Sequence, residues 1–276
     1  MSAGGATTRK ARRPPLPGDG LDVTKMPAYW LLARLGKRIL RPGGRKLSAA
    51  MLGQLAIGPT SRVVELAPGV GGTTRAIITR RPESYVGVER DATAAGVVQN
   101  LLAGTSYEAR TAHAEQTGLA DAEATTVVGE AFLTMQPDAA KRAIIDEAFR
   151  LLEPGGRYGI HELALQPDSL SDERQEQIRA DLGSRLHFGA RPLTVADWRS
   201  LLEQAGFVVD WHQTAPMALL KPARLISDEG LARAVVIAVR SVRSRAIRAR
   251  MRQIRNGFRL LGDDMCAVSF AAHKPS

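Results

Sequence analysis

The stretch Val63-Val64-Glu65-Leu66-Ala67-Pro68-Gly69-Val70-Gly71-Gly72-Thr73-Thr74, followed by Tyr85-Val86-Gly87-Val88-Glu89, constrains this chain more than any other. A short apolar run ends in an acid and a turn of small residues, and a helix is expected to begin. One strand–helix unit later, a second apolar run ends in Glu89. A parallel α/β sheet prepares a nucleoside crevice in this order: glycines let backbone approach a ligand, and the second acid meets ribose hydroxyls. A dinucleotide fingerprint needs Gly-x-Gly-x-x-Gly and no charge where the diphosphate passes. Here Thr74 stands at the last glycine and Glu65 precedes the turn. A carboxylate there repels a diphosphate and suits an ammonium-bearing ligand, which disfavours a dehydrogenase.

At these residues the sequence resembles the class I S-adenosylmethionine-dependent methyltransferases, whose first motif reads acid-x-Gly-x-Gly-x-Gly. Glu65 to Gly71 matches it with one departure, Ala67 at the first glycine. Alanine is small but ill suited to left-handed backbone. The resemblance continues through Ala112-His113-Ala114-Glu115, where the family contacts adenine, and through Thr125-Thr126-Val127-Val128 as the fourth strand. Ala148 to Arg157, with Pro154-Gly155-Gly156, looks like the family's helix end, turn and entry to the fifth strand. The match covers residues 45–165 and is closest to the small-molecule, quinone-biosynthesis-like branch.

The resemblance implies S-adenosylmethionine as cofactor, held by Glu65, Ala67, Gly69, Gly71, Glu89, Arg90, His113, Ala114 and Glu130. Glu65 would orient the methionine amino end and Glu89 would accept from both ribose hydroxyls. A histidine merely exposed in a loop is the other reading of His113. The implied fold is Rossmann-like: a doubly wound, seven-stranded, mostly parallel sheet with an antiparallel last strand. The sequence pattern agrees, because strands expected at 62–67, 84–88, 107–111, 124–128 and 156–163 alternate with helices at 73–80, 91–102 and 138–152.

Around that core the pattern predicts a disordered basic leader over 1–25 and a single domain over 26–276. Residues 26–58 read as two capping helices: Met26 to Leu40, with Leu31, Leu32, Leu35 and Ile39 at helical spacing, and Lys46 to Ile57. Helical insertions are expected at 168–192 and 213–262, with Thr194 to Ala205 a helix capped by Thr194, and last strands at 207–211 and 265–272. The apolar fraction of 44% supplies an ordinary core. One cysteine and no apolar leader fit a reducing compartment, so a cytoplasmic protein is expected. His and acid residues show no metal-ligand spacing, and no metal is expected.

Methyl transfer from a sulfonium is an in-line displacement that demands alignment and water exclusion, and a base only where the acceptor must lose a proton. His161 and Glu162, at the C-terminal end of the fifth strand, are the candidate catalytic pair, because ligands gather beyond that sheet edge. His161 reads as a base or acceptor-orienting residue, or as a histidine bonded to a neighbouring loop. Tyr29, Trp30 and Phe132 are candidate acceptor contacts, with core packing as their other reading. The expected partner is a small organic acceptor, apolar or lipid-like. The alternatives are an RNA methyltransferase and a non-catalytic S-adenosylmethionine-binding protein.

The net charge of +10 is concentrated: residues 233–259 hold nine arginines and no acid. Ile247, Met251, Ile254, Phe258 and Leu261 form one helical stripe, flanked by Arg248, Arg252, Arg255 and Arg259. The arginine helix over 245–259 reads as a solvated face, as a dock for an anionic membrane, or as a nucleic-acid contact. Few aromatics and no RNA-binding motif disfavour nucleic acid.

Overall fold

The structure, a computed structural model, describes residues 21–24, 26–38, 41–186, 189–217 and 222–276. Most of the expected basic leader, together with Ile39 and Leu40, lies outside the described residues. Strands β1 (Arg62–Leu66), β2 (Ser84–Glu89), β3 (Glu108–Thr111), β4 (Ala124–Glu130), β5 (Leu152–Leu165), β7 (Val208–Pro216) and β8 (Met265–His273) form one sheet in the order 3-2-1-4-5-8-7. The first five run parallel, and β8 lies antiparallel to both β5 and β7. A two-residue strand, β6 (Leu193–Thr194), adds to β5. No run of alternating residues marks it in advance.

Alternation along the strands explains why helices cover both faces. Val64 and Val127 point into a core shared with α5 (Asp138–Leu151) and α7 (Val195–Gln204), while Val63 and Val128 pack towards α2 (Gly44–Gln54) and α4 (Ala92–Leu101). Thr194 caps α7, accepting from Asp197 N–H at 3.0 Å, and Asp91 caps α4 through Ala94 N–H at 2.9 Å. Trp198 of α7 is fully buried and donates its indole N–H to Leu163 O at 3.1 Å.

A third apolar cluster covers the end of β5 and takes in its Leu163 and Leu165 together with Met265 of β8. It joins Leu31 and Leu35 of α1 (Ala28–Leu35) to Ile178 of α6 (Asp172–Leu186), Ile237 of α9 (Leu231–Val242) and Ile254 of α10 (Arg245–Leu260). Helix α1 is shorter than expected. Gly36 takes a left-handed φ of 111°, its N–H bonds Ala33 O, and Lys37 N–H bonds Leu32 O, which closes the helix well before Pro42. The helix expected over 73–80 is only α3 (Thr74–Ile78). Helix α5 stops at Leu151 because Pro154 disfavours helical backbone just before it, and the chain turns directly into β5.

Between β7 and β8 the chain forms α8 (Pro222–Glu229), α9 and α10, with Ser244 capping α10 through Ile247 N–H. Helix α8 is tied to the α1–α2 connection. Glu229 accepts from Arg38 N–H at 2.8 Å, Asp228 from Arg45 N–H at 3.0 Å, and Arg224 donates to Gly43 O at 2.7 Å. Buried Lys37 lies 3.9 Å from Asp228 and 3.8 Å from Glu229. Gly44 is required here, since a Cβ on it would meet the Asp228 carboxylate at 2.5 Å.

Candidate active site

A cavity of about 320 Å³ opens at the C-terminal ends of β1, β2 and β4 and runs under α1. Glu65, Ala67, Gly69, Glu89, Arg90, Ala114 and Glu130 line it, and so do Tyr29, Trp30, Phe132 and Glu162. Gly71, His113 and His161 are not among its lining residues.

The turn after β1 is wound by three left-handed residues: Ala67 at φ 53°, Gly69 at 58° and Gly71 at 76°. Ala67 therefore adopts the backbone that the sequence argued against. Its N–H bonds Val88 O at 2.8 Å, so sheet pairing compensates a strain of about 1 kcal/mol. A Cβ built on Gly69 would meet nothing within 4 Å, so the backbone there faces open space. Gly71 instead turns towards Leu101, which a Cβ would approach to 2.8 Å.

Glu65 is buried, and one oxygen, Oε2, accepts from both Tyr85 Oη at 2.6 Å and Thr74 Oγ1 at 2.8 Å. Burial pushes its carboxyl up to about 7, against the pull of those two bonds. Tyr85 keeps its proton as donor, because burial and the Glu65 charge raise the phenol well above its ordinary value. The tyrosine reaches Glu65 because Gly87 leaves room: a Cβ there would lie 2.9 Å from Tyr85 Oη. Glu89 is fixed by backbone donors from two turns, Gly69 N–H on Oε2 and Asp91 N–H on Oε1, both at 3.0 Å.

Glu130 sits in a charged knot. Arg41 lies 3.0 Å from its Oε2, Thr73 donates to the same oxygen, and His161 Nδ1 lies 2.9 Å from Oε1. Burial opposes ionisation, but Arg41, His161 and Ser48 outweigh it and hold the carboxyl at about 2. His161 is fully buried, its Nδ1 also 3.1 Å from Ser48 Oγ, and its Nε2 has no hydrogen-bond partner among the described residues. Arg41 also bonds Ser48, so the knot joins the α1–α2 connection to β4 and β5. The sequence did not single out Arg41.

Glu162 is equally committed. It accepts from the N–H groups of Phe132, Leu133 and Thr134 at 2.9–3.0 Å and from Thr134 Oγ1 at 2.6 Å. Burial raises its carboxyl above the ordinary value against those four bonds. It thereby fixes the turn that presents Phe132, Met135 and Gln136 to the cavity. Tyr29 and Trp30 form the facing wall, their ring centroids 4.8 Å apart. Leu163 and Met217 complete an apolar end that the sequence did not single out. His113 is largely exposed and faces Glu115 at 3.4 Å.

The groups present suit S-adenosylmethionine: a buried carboxylate to accept from an ammonium, open backbone at Gly69, and a second fixed carboxylate at the end of β2. Comparison with known proteins agrees. The methyltransferase domain family matches residues 63–156. An uncharacterized protein of Haemophilus influenzae is 28% identical over 204 residues, covering 72% of this chain and 79% of its own length. The phosphoethanolamine N-methyltransferase 2 of Haemonchus contortus, solved with S-adenosyl-L-methionine, superposes with a TM-score of 0.67 at 16% identity. That match covers 90% of this chain, which spans only 56% of the Haemonchus contortus protein. A cyclopropane synthase of Mycobacterium tuberculosis superposes with a TM-score of 0.65 at 16% identity, over 82% of each chain. The segment carrying the glycine turn and both acids thus matches a methyltransferase domain family, and it is set in a Rossmann-like sheet.

Proposed function

We propose that this protein methylates a small, largely apolar acceptor held between the aromatic pair Tyr29–Trp30 and the wall of Phe132, Met135, Leu163 and Met217. The observation that carries the reading is the division of one cavity: fixed carboxylates and open backbone at one end, apolar side chains at the other. Glu65 takes the cofactor's ammonium, using the oxygen that Tyr85 and Thr74 leave open. Glu89 takes the ribose hydroxyls, and Ala67, Gly69, Arg90 and Ala114 line the space between. The bound cofactor supplies a methyl group on a sulfonium, already activated for displacement.

The chain's own part is alignment and exclusion of water. Glu162 has spent its acceptor capacity on the turn after β4, and it acts by placing Phe132 and Met135. His161 is a positioning residue that holds Glu130, not a base. His161→Ala should therefore lower cofactor affinity and turnover together, whereas loss of a base would lower turnover alone. The apolar lining suits an acceptor atom that is nucleophilic without deprotonation by the enzyme.

The deciding experiment offers labelled cofactor with a panel of apolar and lipid-like metabolites, and separately with tRNA and rRNA. Label in a small organic product supports the reading. Label only in RNA overturns it, and cofactor binding with no transfer to any fraction of a cell extract overturns catalysis itself.

A further inference from the structure

The face of α9 that points away from the molecule is apolar. Ala234 and Ile237 turn inward, while Leu231, Val235, Val239 and Val242 lie along the opposite side at 66%, 53%, 60% and 58% exposure. Their spacing of four, four and three residues makes them one stripe. Val236 is exposed beside them, and Arg240 and Arg243 border the stripe. Helix α10 follows with Arg245, Arg248, Arg252, Arg255 and Arg259 all exposed. No acid occurs between Gly230 and Gly262. Among the described residues, Arg243, Arg245, Arg252 and Arg255 have no acidic partner. At the corner of α1, α9 and α10 a cleft of about 660 Å³ is lined by Leu31, Leu35 and Ile247 together with Arg34, Arg240 and Arg243.

We propose that the outer face of α9, with the arginines of α9 and α10, docks the protein onto an anionic phospholipid bilayer. An apolar stripe bordered by guanidinium groups matches a surface whose headgroups are negative and whose interior accepts Leu and Val side chains. The corner cleft suits a headgroup phosphate and the first carbons below it. A second copy of this chain is a poorer occupant, because it would bring another set of unpaired arginines against the first. No described helix is long and apolar enough to cross a membrane, so the contact is peripheral. Docking would set the acceptor cavity one helix from the lipid: α1 carries Tyr29 and Trp30, and Arg240 of α9 bonds Leu35 O at 3.3 Å.

The test is independent of methyl transfer. The full chain, without cofactor, is sedimented with phosphatidylcholine vesicles and with phosphatidylcholine–phosphatidylglycerol vesicles. Binding is expected only to the second, and should weaken steeply with added salt. Val235→Asp with Val239→Asp should reduce it at least about tenfold. Arg243→Gln, Arg248→Gln and Arg252→Gln together should reduce it about a hundredfold. Circular dichroism and thermal melting establish that both variants fold, and either folded variant suffices. No binding to the anionic vesicles, equal binding by a folded variant, or a solution dimer that Val239→Asp dissociates would each overturn the proposal. So would salt-sensitive binding to RNA without binding to vesicles.

Discussion

The two ends of the cavity are built in different ways. At the cofactor end the key bonds join residues twenty positions apart, Glu65 to Tyr85 and Gly69 to Glu89, within one β-α-β unit. At the acceptor end the aromatic wall on α1 is held through contacts spanning 181 to 191 positions, from Gly43, Arg45 and Arg38 to α8. The first end is specified by a continuous stretch of chain and stands whenever the sheet forms. The second depends on an inserted segment folding back onto the N-terminal helices. The cofactor end can therefore persist while the acceptor end changes, which suits a fold shared by proteins with different acceptors.

The strongest way to break that contrast is Asp228→Ala. It removes an acceptor from Arg45 N–H and leaves buried Lys37 with Glu229 as its remaining acidic neighbour. Breaking a buried ion pair by removing one partner costs about 3 kcal/mol. Denaturant unfolding should register that loss, while the cofactor dissociation constant of the folded fraction changes little. A parallel loss of cofactor affinity would show that the two ends are one unit.

Glu89→Ala probes the other end. It should weaken cofactor binding by about 2 kcal/mol, the scale of charge-assisted hydrogen bonds, and should do so in calorimetry without any acceptor present. An unchanged dissociation constant would remove Glu89 from the site and leave it as a clamp on Gly69.

The pH dependence sharpens the same point. Glu65 ionises at about 7, because burial favours its neutral form, and only the ionised form attracts an ammonium. Cofactor affinity should fall about tenfold for each unit below pH 7, as a proton competes for the carboxylate. It should level off above 7 and fall again above about 8, where an α-amino group loses its charge. Tyr85→Phe removes a hydrogen bond that favours the carboxylate, so the lower limb should move to higher pH. A profile that stays flat through 7 would place the ammonium elsewhere.

The same division decides what the sequence could reveal. The glycine turn, Glu65, Glu89 and the doubly wound, mostly parallel sheet are legible because each follows from residues in one stretch and from a fold with few connection patterns. Even there, reading residues singly falls short: Ala67 takes a left-handed φ that alanine disfavours, held by its sheet bond to Val88. Tyr85 could have been recognised from the alternation Tyr85-Val86-Gly87-Val88-Glu89, which puts the tyrosine and Glu89 on one face with a glycine between them. Arg41 carried no local signal. It matters only because α2 and the glycine turn bring Ser48 and Thr73 beside Glu130. Met217 and Leu163 were likewise unreadable as one wall, since the chain between them includes two helices and two further strands.

The smallest expected effect tests where one end stops and the other begins. Trp30 is half-buried on α1, its ring tilted at 57° to that of Tyr29, and lines the cavity together with Phe132. If it belongs to the acceptor wall, Trp30→Ala should lower turnover about tenfold or less through looser alignment, with the cofactor dissociation constant unchanged. Its neighbour Tyr29 lies close enough to Glu89, Arg90 and Asp91 to feel their charges, while burial is the main cause of its raised phenol. Tyr29→Phe should therefore shift cofactor affinity more than Trp30→Ala does. Should both substitutions weaken the cofactor equally, α1 would close over the nucleoside, and the acceptor wall would reduce to Phe132, Met135, Leu163 and Met217.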